Sequence, residues 1–526
     1  MLTIWRAIPR NPGSECWIPD ARPASYAQEA HLVGALAGAG TGNGTDPGTD
    51  PGTDPGTDPG TDPGTDGRRD GRRDGGRRGS PSWLGTAFEL PGELDEGALE
   101  TALLGWIDRH EALRSRLVAT ADARFERVTL APGAVAIRRG TTGEFSTGGQ
   151  LARQLEELFD AETDPLDWPS CVFATVRHAD STTLHLAFDH LNVDGYSILL
   201  VAHEIRELYT AAVTGTPAGL GQVGSYLDFA GQERERTALV HSEHESVVRW
   251  RDFVTANGGA LPAFPLPVGD ETDAAHETGP AHRTHPHPDQ LGGCVWLLDS
   301  DRARSFQTAC RADGGNFLSG LLASLAVVGH ESTGHEEFRA LTPFHTRGQE
   351  AAWTGSLGWY VGLAPIRFAV RGTDAFAEVM RNAVAALDGA GAVAAVPFPR
   401  IAELLGTPLE PRFVVSYMDM RRTPGARRWG EWKAAALRSR RSHPDEVYLW
   451  INRSYEGVYV SYRHPNTERA RLVVSRFIAD TGRLMNAIAA PTPPAASAAA
   501  SVEASTPTPV PVSAPAATRV KEAAAC

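Results

Sequence analysis

The stretch that decides the fold runs from Thr182 to Ser197 and reads TTLHLAFDHLNVDGYS. Its first half alternates apolar and polar side chains with a period of two, which predicts a half-buried strand. A polar turn follows over residues 189–195, and apolar residues then recur at helical spacing from Ser197 to Leu208. A histidine and two carboxylates therefore lie where a strand passes into a helix, and loops held by rigid elements commonly carry chemistry.

Four residues of this turn predict particular roles. His190 has a pKa that can be tuned near neutrality and suits general-base work on an alcohol, amine or thiol. Asp194 can orient the turn or pair with an arginine, and Gly195 permits a positive φ or a close approach of the backbone. Asn192 either faces a substrate or serves the turn. The same pattern is equally consistent with a polar turn that only satisfies backbone groups.

The whole chain predicts a soluble, cytoplasmic protein. It has 526 residues, 41% of them hydrophobic, which is enough for one large core or two sizeable ones. The formal net charge of −14 disfavours nonspecific nucleic-acid binding. The N-terminus has no signal-peptide pattern, and no apolar run reaches the ~18 residues of a membrane span. Five scattered cysteines without a C-x-x-C pair fit a reducing compartment.

Three segments have the composition of linkers. Residues 37–80 contain a repeated Gly-Thr-Asp-Pro unit and a Gly/Arg/Asp run, which predict a disordered insert, either a repeat expansion in a surface loop or a charged docking tether. Residues 261–291 predict a linker between two lobes. Its histidines match no closed zinc spacing, so no metal is expected there; they are His276, His282, His285 and His287. Residues 489–526 predict a disordered tail.

The segment Asp189–Gly195 resembles the H-H-x-x-x-D-G signature of nonribosomal peptide condensation domains and of polyketide-associated acyltransferases. The catalytic histidine of that signature maps to His190, and its aspartate and glycine map to Asp194 and Gly195. Asp189 stands where the first histidine of the signature is expected. The resemblance therefore implies that His190 is the catalytic residue, with Asp189, Asp194 and Gly195 supporting the motif.

A second motif, RHEALRSR at residues 109–116, resembles the R-H-E-x-L-R-T segment of the same family. A buried carboxylate such as Asp194 needs a cationic partner, and Arg114 or Arg109 is the expected supplier. The sequence does not choose between these two arginines, and either one is also consistent with a solvated helix end.

A third segment, residues 357–366, resembles the G-x-F-x-N-x-x-P segment that lies beside the substrate channel in the family. Trp359 and Tyr360 are thereby expected at the channel, although core packing is the default interpretation of both residues. Gly362 stands where asparagine is often found. Ser416, on a strand that resembles a late strand of the family, is the fourth expected channel residue beside Asn192.

The resemblance implies an α/β (α+β) fold of two lobes similar to chloramphenicol acetyltransferase, with mixed sheets flanked by helices, in a V-shaped pseudo-dimer. The lobes are expected at residues 1–260 and 292–488, with His190 between them and reachable from both sides. Strands alternate with helices in both halves of the sequence, which independently agrees with this fold class.

The implied function is a free-standing acyltransferase of natural-product biosynthesis. Its donor would be an acyl or aminoacyl thioester, on the phosphopantetheine arm of an acyl- or peptidyl-carrier protein or on coenzyme A, and no bound cofactor is expected. The acceptor would be a small molecule with an amine or a hydroxyl, and the sequence leaves amide and ester products open. The alternative is a non-catalytic module that docks carrier proteins or recruits a tailoring enzyme, which the aspartate at position 189 favours and the retained His190 disfavours.

Overall fold

The computed structural model describes residues 1–11, 13, 16–40, 81–122, 124–269, 290–348, 350–440 and 443–490. Most of the predicted insert, the histidine-rich centre of the predicted linker and almost all of the predicted tail lie outside these residues. At the start of the insert, residues 37–40 continue a helix instead.

The described residues form fifteen strands and thirteen helices. The strands are β1 (Leu2–Pro9), β2 (Trp17–Asp20), β3 (Trp83–Pro91), β4 (Ser115–Ala119), β5 (Phe125–Leu130), β6 (Val135–Thr142), β7 (Cys171–Arg177), β8 (Ser181–Asp189), β9 (Leu291–Asp299), β10 (Glu337–His345), β11 (Val361–Ala369), β12 (Phe413–Asp419), β13 (Ala435–Arg438), β14 (Val447–Arg453) and β15 (Gly457–His464). The helices are α1 (Tyr26–Gly40), α2 (Glu96–Arg109), α3 (Gly148–Glu162), α4 (Gly195–Thr214), α5 (Tyr226–Thr237), α6 (Glu245–Ala256), α7 (Ser300–Ala312), α8 (Phe317–Thr333), α9 (Ala351–Thr354), α10 (Phe376–Leu387), α11 (Ala390–Ala394), α12 (Phe398–Leu405) and α13 (Glu468–Ile488).

The first lobe is built on a six-stranded sheet in the order β13-β3-β8-β7-β1-β6. Its strand pairs are all antiparallel. The prediction of a mixed sheet is therefore wrong for the first lobe. Helices α2 and α4 cover one face, and their apolar residues share a core with the strands. Leu184, Leu186 and Phe188 of β8 are fully buried in that core. The period of two seen in the sequence therefore positions the strand that leads into the turn at 189–195.

The second lobe is built on a sheet in the order β11-β10-β12-β14-β15-β9. This sheet is mixed, as predicted. Strand β12 runs parallel to both β10 and β14, whereas the remaining strand pairs of the sheet are antiparallel. Helices α8, α10 and α13 join its strands in the largest apolar cluster of the described residues. Within the described ranges, no single helix has the length and apolar composition to cross a lipid bilayer; α7 and α8 pass only as a pair, and they meet at 92°.

One helix and one strand associate with a different lobe from the one that the expected boundaries assign to them. Helix α6 was expected in the first lobe, but Val247 and Trp250 belong to an apolar cluster that includes Leu341 and Val414 of the second sheet. The apolar face of α6 needs a partner, and the second lobe provides it. In the other direction, β13 leaves the second lobe and pairs with β3 at the edge of the first sheet.

Candidate active site

The turn between β8 and α4 places the predicted site. Strand β8 ends at Asp189, and Asp194 is the N-cap of α4, where its carboxylate accepts a hydrogen bond of 2.6 Å from the backbone N–H of Ser197. An aspartate suits this position because it satisfies an otherwise unpaired N–H of the first helical turn. His190 is anchored by its own backbone N–H, which donates to the carbonyl of Ser82 at 3.2 Å.

His190 lines a cavity of about 2670 Å³ bounded by residues of both lobes. The centre of its ring lies 3.9 Å from that of Trp359, at an interplanar angle of 40°. The Nδ1 atom is buried and has no hydrogen-bond partner, which leaves Nε2 as the nitrogen available to a ligand. Burial, followed by the charge of His31, lowers the pKa of His190 from 6.5 to about 4, so the ring is neutral at physiological pH. A neutral imidazole can accept a proton.

Asp189, at the place of the missing first histidine, is fully buried and paired. One carboxylate oxygen lies 2.9 Å from Nε2 of His31 on α1, and the other accepts a hydrogen bond of 2.6 Å from the hydroxyl of Ser82. His31 and Ser82 both line the cavity. A second imidazole therefore stands beside His190 after all, contributed by a helix about 160 residues earlier in the chain.

The expected partner of Asp194 was wrong. Arg347, just after β10 in the second lobe, donates from Nη2 to the two carboxylate oxygens of Asp194 at 3.1 and 3.3 Å. Both side chains are almost completely buried. Asp194 also accepts the backbone N–H of Tyr360 at 3.0 Å. The capping aspartate thus connects the lobes, which a sequence pattern within the first lobe could not indicate.

The arginines of the second motif serve another carboxylate or the backbone. Helix α2 ends at Arg109, because His110 takes an extended conformation. Arg109 and His110 contact the carboxylate of Glu204 on α4 at 3.0 and 2.6 Å. Arg114 donates to the carbonyl of Leu130 at 2.6 Å. The motif therefore fixes the middle of α4 and does not neutralise Asp194.

The four expected channel residues divide into two pairs. Trp359 and Ser416 line the cavity. Asn192 is buried and its side-chain amide donates to the hydroxyl of Ser170 at 2.8 Å, which supports the alternative that it serves the turn. Tyr360 is fully buried, and its hydroxyl donates to that of Ser356 at 2.8 Å, so it belongs to the core.

The two glycines singled out in the sequence have different surroundings. Gly195 does not take a positive φ; it lines the cavity, and a methyl group added there would lie 3.5 Å from Cε of Met418. At Gly362 an added Cβ would overlap the backbone carbonyl of Ala394. Since α11 approaches β11 this closely, asparagine cannot occupy position 362 in this chain.

The catalytic role of His190 and the substrate-binding roles of the channel residues stay predictions.

The sequence is similar to a known protein family and to named acyltransferases. The family model of the condensation domain matches residues 78–418. The 2'-acyl-2-O-sulfo-trehalose (hydroxy)phthioceranyltransferase PapA1 of Mycobacterium bovis is 30% identical over 321 residues, 60% of this chain and 58% of that protein. The chain thus spans less than two thirds of that relative's length. Acyltransferase PapA3 of Mycobacterium tuberculosis is 28% identical over 409 residues, 76% of this chain and 82% of that protein.

Solved structures show the same architecture. A structure of PapA2 acyl transferase superposes with a TM-score of 0.75 at 23% sequence identity, covering 93% of this chain and 96% of that one. The first condensation domain of the calcium-dependent antibiotic synthetase, in complex with a substrate analogue, gives a TM-score of 0.60 at 18% identity, covering 78% and 94%. The predicted two-lobed fold is confirmed by these likenesses.

Proposed function

The chain belongs to the condensation-domain family, and from this premise we propose that it is an acyltransferase that moves an acyl group from a thioester to a hydroxyl group of a small, sugar-like acceptor. The single observation that carries the proposal is the imidazole of His190, which is neutral, packed on Trp359, and open to a cavity that both lobes line. A general base needs a ring that is deprotonated at working pH and within reach of substrate.

The acceptor and the donor are proposed from different considerations. Relatives named for transfer to sulfated trehalose favour a sugar hydroxyl over an amine. The cavity carries the aromatic side chains of Trp296, Tyr448, Trp450 and Tyr459, which suit the apolar face of a sugar ring or an acyl chain. A thioester of coenzyme A or of a carrier-protein phosphopantetheine arm supplies the acyl group and binds as a substrate. The enzyme would act in the biosynthesis of an acylated natural product.

The proposed reaction needs no covalent acyl-enzyme. Nε2 of His190 takes the proton of the acceptor hydroxyl while the oxygen of that hydroxyl attacks the carbonyl carbon of the thioester. The resulting tetrahedral oxyanion collapses, the carbon–sulfur bond breaks, and the leaving thiolate takes the proton back from the imidazolium. An ester and a free thiol are the products. Asp194 holds the turn through Arg347 and does not act as the base.

The test is a transfer assay with purified protein, acyl-coenzyme A as donor, and trehalose or trehalose 2-sulfate as acceptor, with the ester detected by mass spectrometry. We expect turnover by the wild-type protein and a loss of at least about 10²-fold in His190→Ala, the lower end of the contribution of a general base. Retained turnover in His190→Ala would remove this residue from the mechanism.

His185→Ala is the matched control. This histidine lies on β8, the strand that leads directly to His190, and burial likewise lowers its pKa to about 4, but it does not line the cavity. Its replacement should leave transfer within about twofold of wild type, since the side chain at position 185 does not reach the cavity where substrate would bind. If the wild-type protein binds carrier protein but transfers no acyl group to any hydroxyl or amine acceptor, a docking role replaces the proposed one.

A further inference from the structure

One wall of the cavity carries an arginine that lacks an acidic partner. Arg438, on β13, lines the cavity, and its Nη1 atom is buried without a hydrogen-bond partner. Within the described part of the chain Arg438 makes no ion pair. Its guanidinium carbon lies 3.8 Å from the centre of the indole ring of Trp450.

A second guanidinium approaches the same ring. The guanidinium carbon of Arg463 lies 5.4 Å from the ring centre of Trp450 and 5.1 Å from that of Tyr448. Arg463 pairs with Glu446 through Nη2, whereas its Nε atom is buried and unpartnered. The guanidinium groups of Arg438 and Arg463 thus share the ring of Trp450, and Glu446 pairs with only the second of them.

The register of the second sheet relates Trp450 to the catalytic turn. Trp450 on β14 stands opposite Ser416 on β12, and Met418, two residues further along β12, reaches Gly195 at the start of α4. One strand spacing and two residues of rise place the Cα atoms of Trp450 and Met418 about 8 Å apart. Trp450 therefore lies about one strand spacing and two residues from the strand position that contacts the start of α4.

An unpaired guanidinium in such a position is energetically unfavourable. Removing a charge from water is unfavourable unless a counter-charge or hydrogen bonds replace the solvent. Burial, followed by the charge of Arg463, lowers the pKa of Arg438 to about 10, so the group is still positively charged at neutral pH. The planar fork of a guanidinium matches the oxygen atoms of a phosphate or sulfate.

We propose that Arg438 and Arg463, stacked on Trp450, form a subsite for the tetrahedral oxyanion of a phosphate or sulfate ester on the non-reacting part of a substrate. The proposal that this site binds an oxyanion rests on the two arginines alone. The further step, that the oxyanion belongs to a substrate, rests on the proposed function. The two sources of the anion are the phosphates of a coenzyme A donor and a sulfate on the acceptor sugar.

The test compares charged and uncharged forms of each probe by isothermal titration calorimetry. Coenzyme A is compared with pantetheine, and trehalose 2-sulfate with trehalose, on wild-type protein and on Arg438→Gln. We expect one charged probe to bind wild type at least tenfold more tightly than its uncharged counterpart, and Arg438→Gln to abolish that preference. The pair that responds identifies the source of the anion.

Three further variants make the result specific. Arg438→Lys keeps the charge, loses the fork and should show an intermediate preference. Arg471→Gln, an exposed arginine on α13 paired with Glu468, should bind like wild type. His190→Ala should retain the charged-probe preference even though it fails in transfer, so the subsite and the catalytic proposal can fail separately. The subsite is rejected if Arg438→Gln, or Arg438→Lys where the glutamine variant does not fold, binds both charged probes as wild type does.

Discussion

Replacing Asp194 by asparagine removes the carboxylate that Arg347 contacts across the lobe boundary. The two side chains are 0% and 4% exposed, and the carboxylate also accepts backbone N–H groups of Ser197 and Tyr360. Removing one member of a buried ion pair typically costs about 3–5 kcal/mol, because the other charge stays buried. Asparagine keeps one acceptor oxygen, so we expect the lower end of that range.

A loss of about 3 kcal/mol corresponds to a fall of about 6–12 °C in the melting temperature of a unit of 150–250 residues. Differential scanning calorimetry at a fixed scan rate measures this shift. Arg347→Met should cost less, because the backbone N–H groups still stabilise the carboxylate. In the double variant the two losses should not add, with a coupling of about 2 kcal/mol. If Asp194→Asn melts within 1 °C of wild type, or the losses add, the ion pair does not stabilise the lobe boundary.

Three further predictions concern the site and its packing. The acid limb of the pH profile of kcat/KM should lie near pH 4, because the base stays deprotonated until the pH falls through the lowered pKa of His190; a limb near 6.5 would contradict this. His31→Ala should raise the pKa of His190 and move that limb to higher pH, because a positive charge is lost and the charge of a neighbouring carboxylate is left uncompensated; an unmoved limb would show that the two rings do not interact. Gly362→Ala should destabilise the fold by about 1–3 kcal/mol or more in thermal unfolding, because the new methyl meets the carbonyl of Ala394. Gly391→Ala is the matched control on α11, where an added methyl has open space and should not destabilise.

The sequence was most informative where a signal is local. The alternation in β8 and the helical spacing of α4 located the turn that carries His190, and the capping role of Asp194 follows from its place before a helix. The partners of those residues could not be predicted in the same way. Arg347 and His31 are separated from the residues they contact by about 150 residues, and neither lies in a motif of its own. Only the closure of the fold brings them to the turn.

The pairing of Ala435–Arg438 with Leu84–Ala87 has a mechanical consequence. Strand β13 comes from the second half of the chain but is hydrogen-bonded into the sheet of the first lobe. Trp432, just before this strand, is buried in the apolar core of the first lobe. A wide separation of the two halves would therefore require these hydrogen bonds to break or the segments that flank β13 to move. The pairing thereby restricts how far the cavity around His190 can widen while β13 stays in the first sheet.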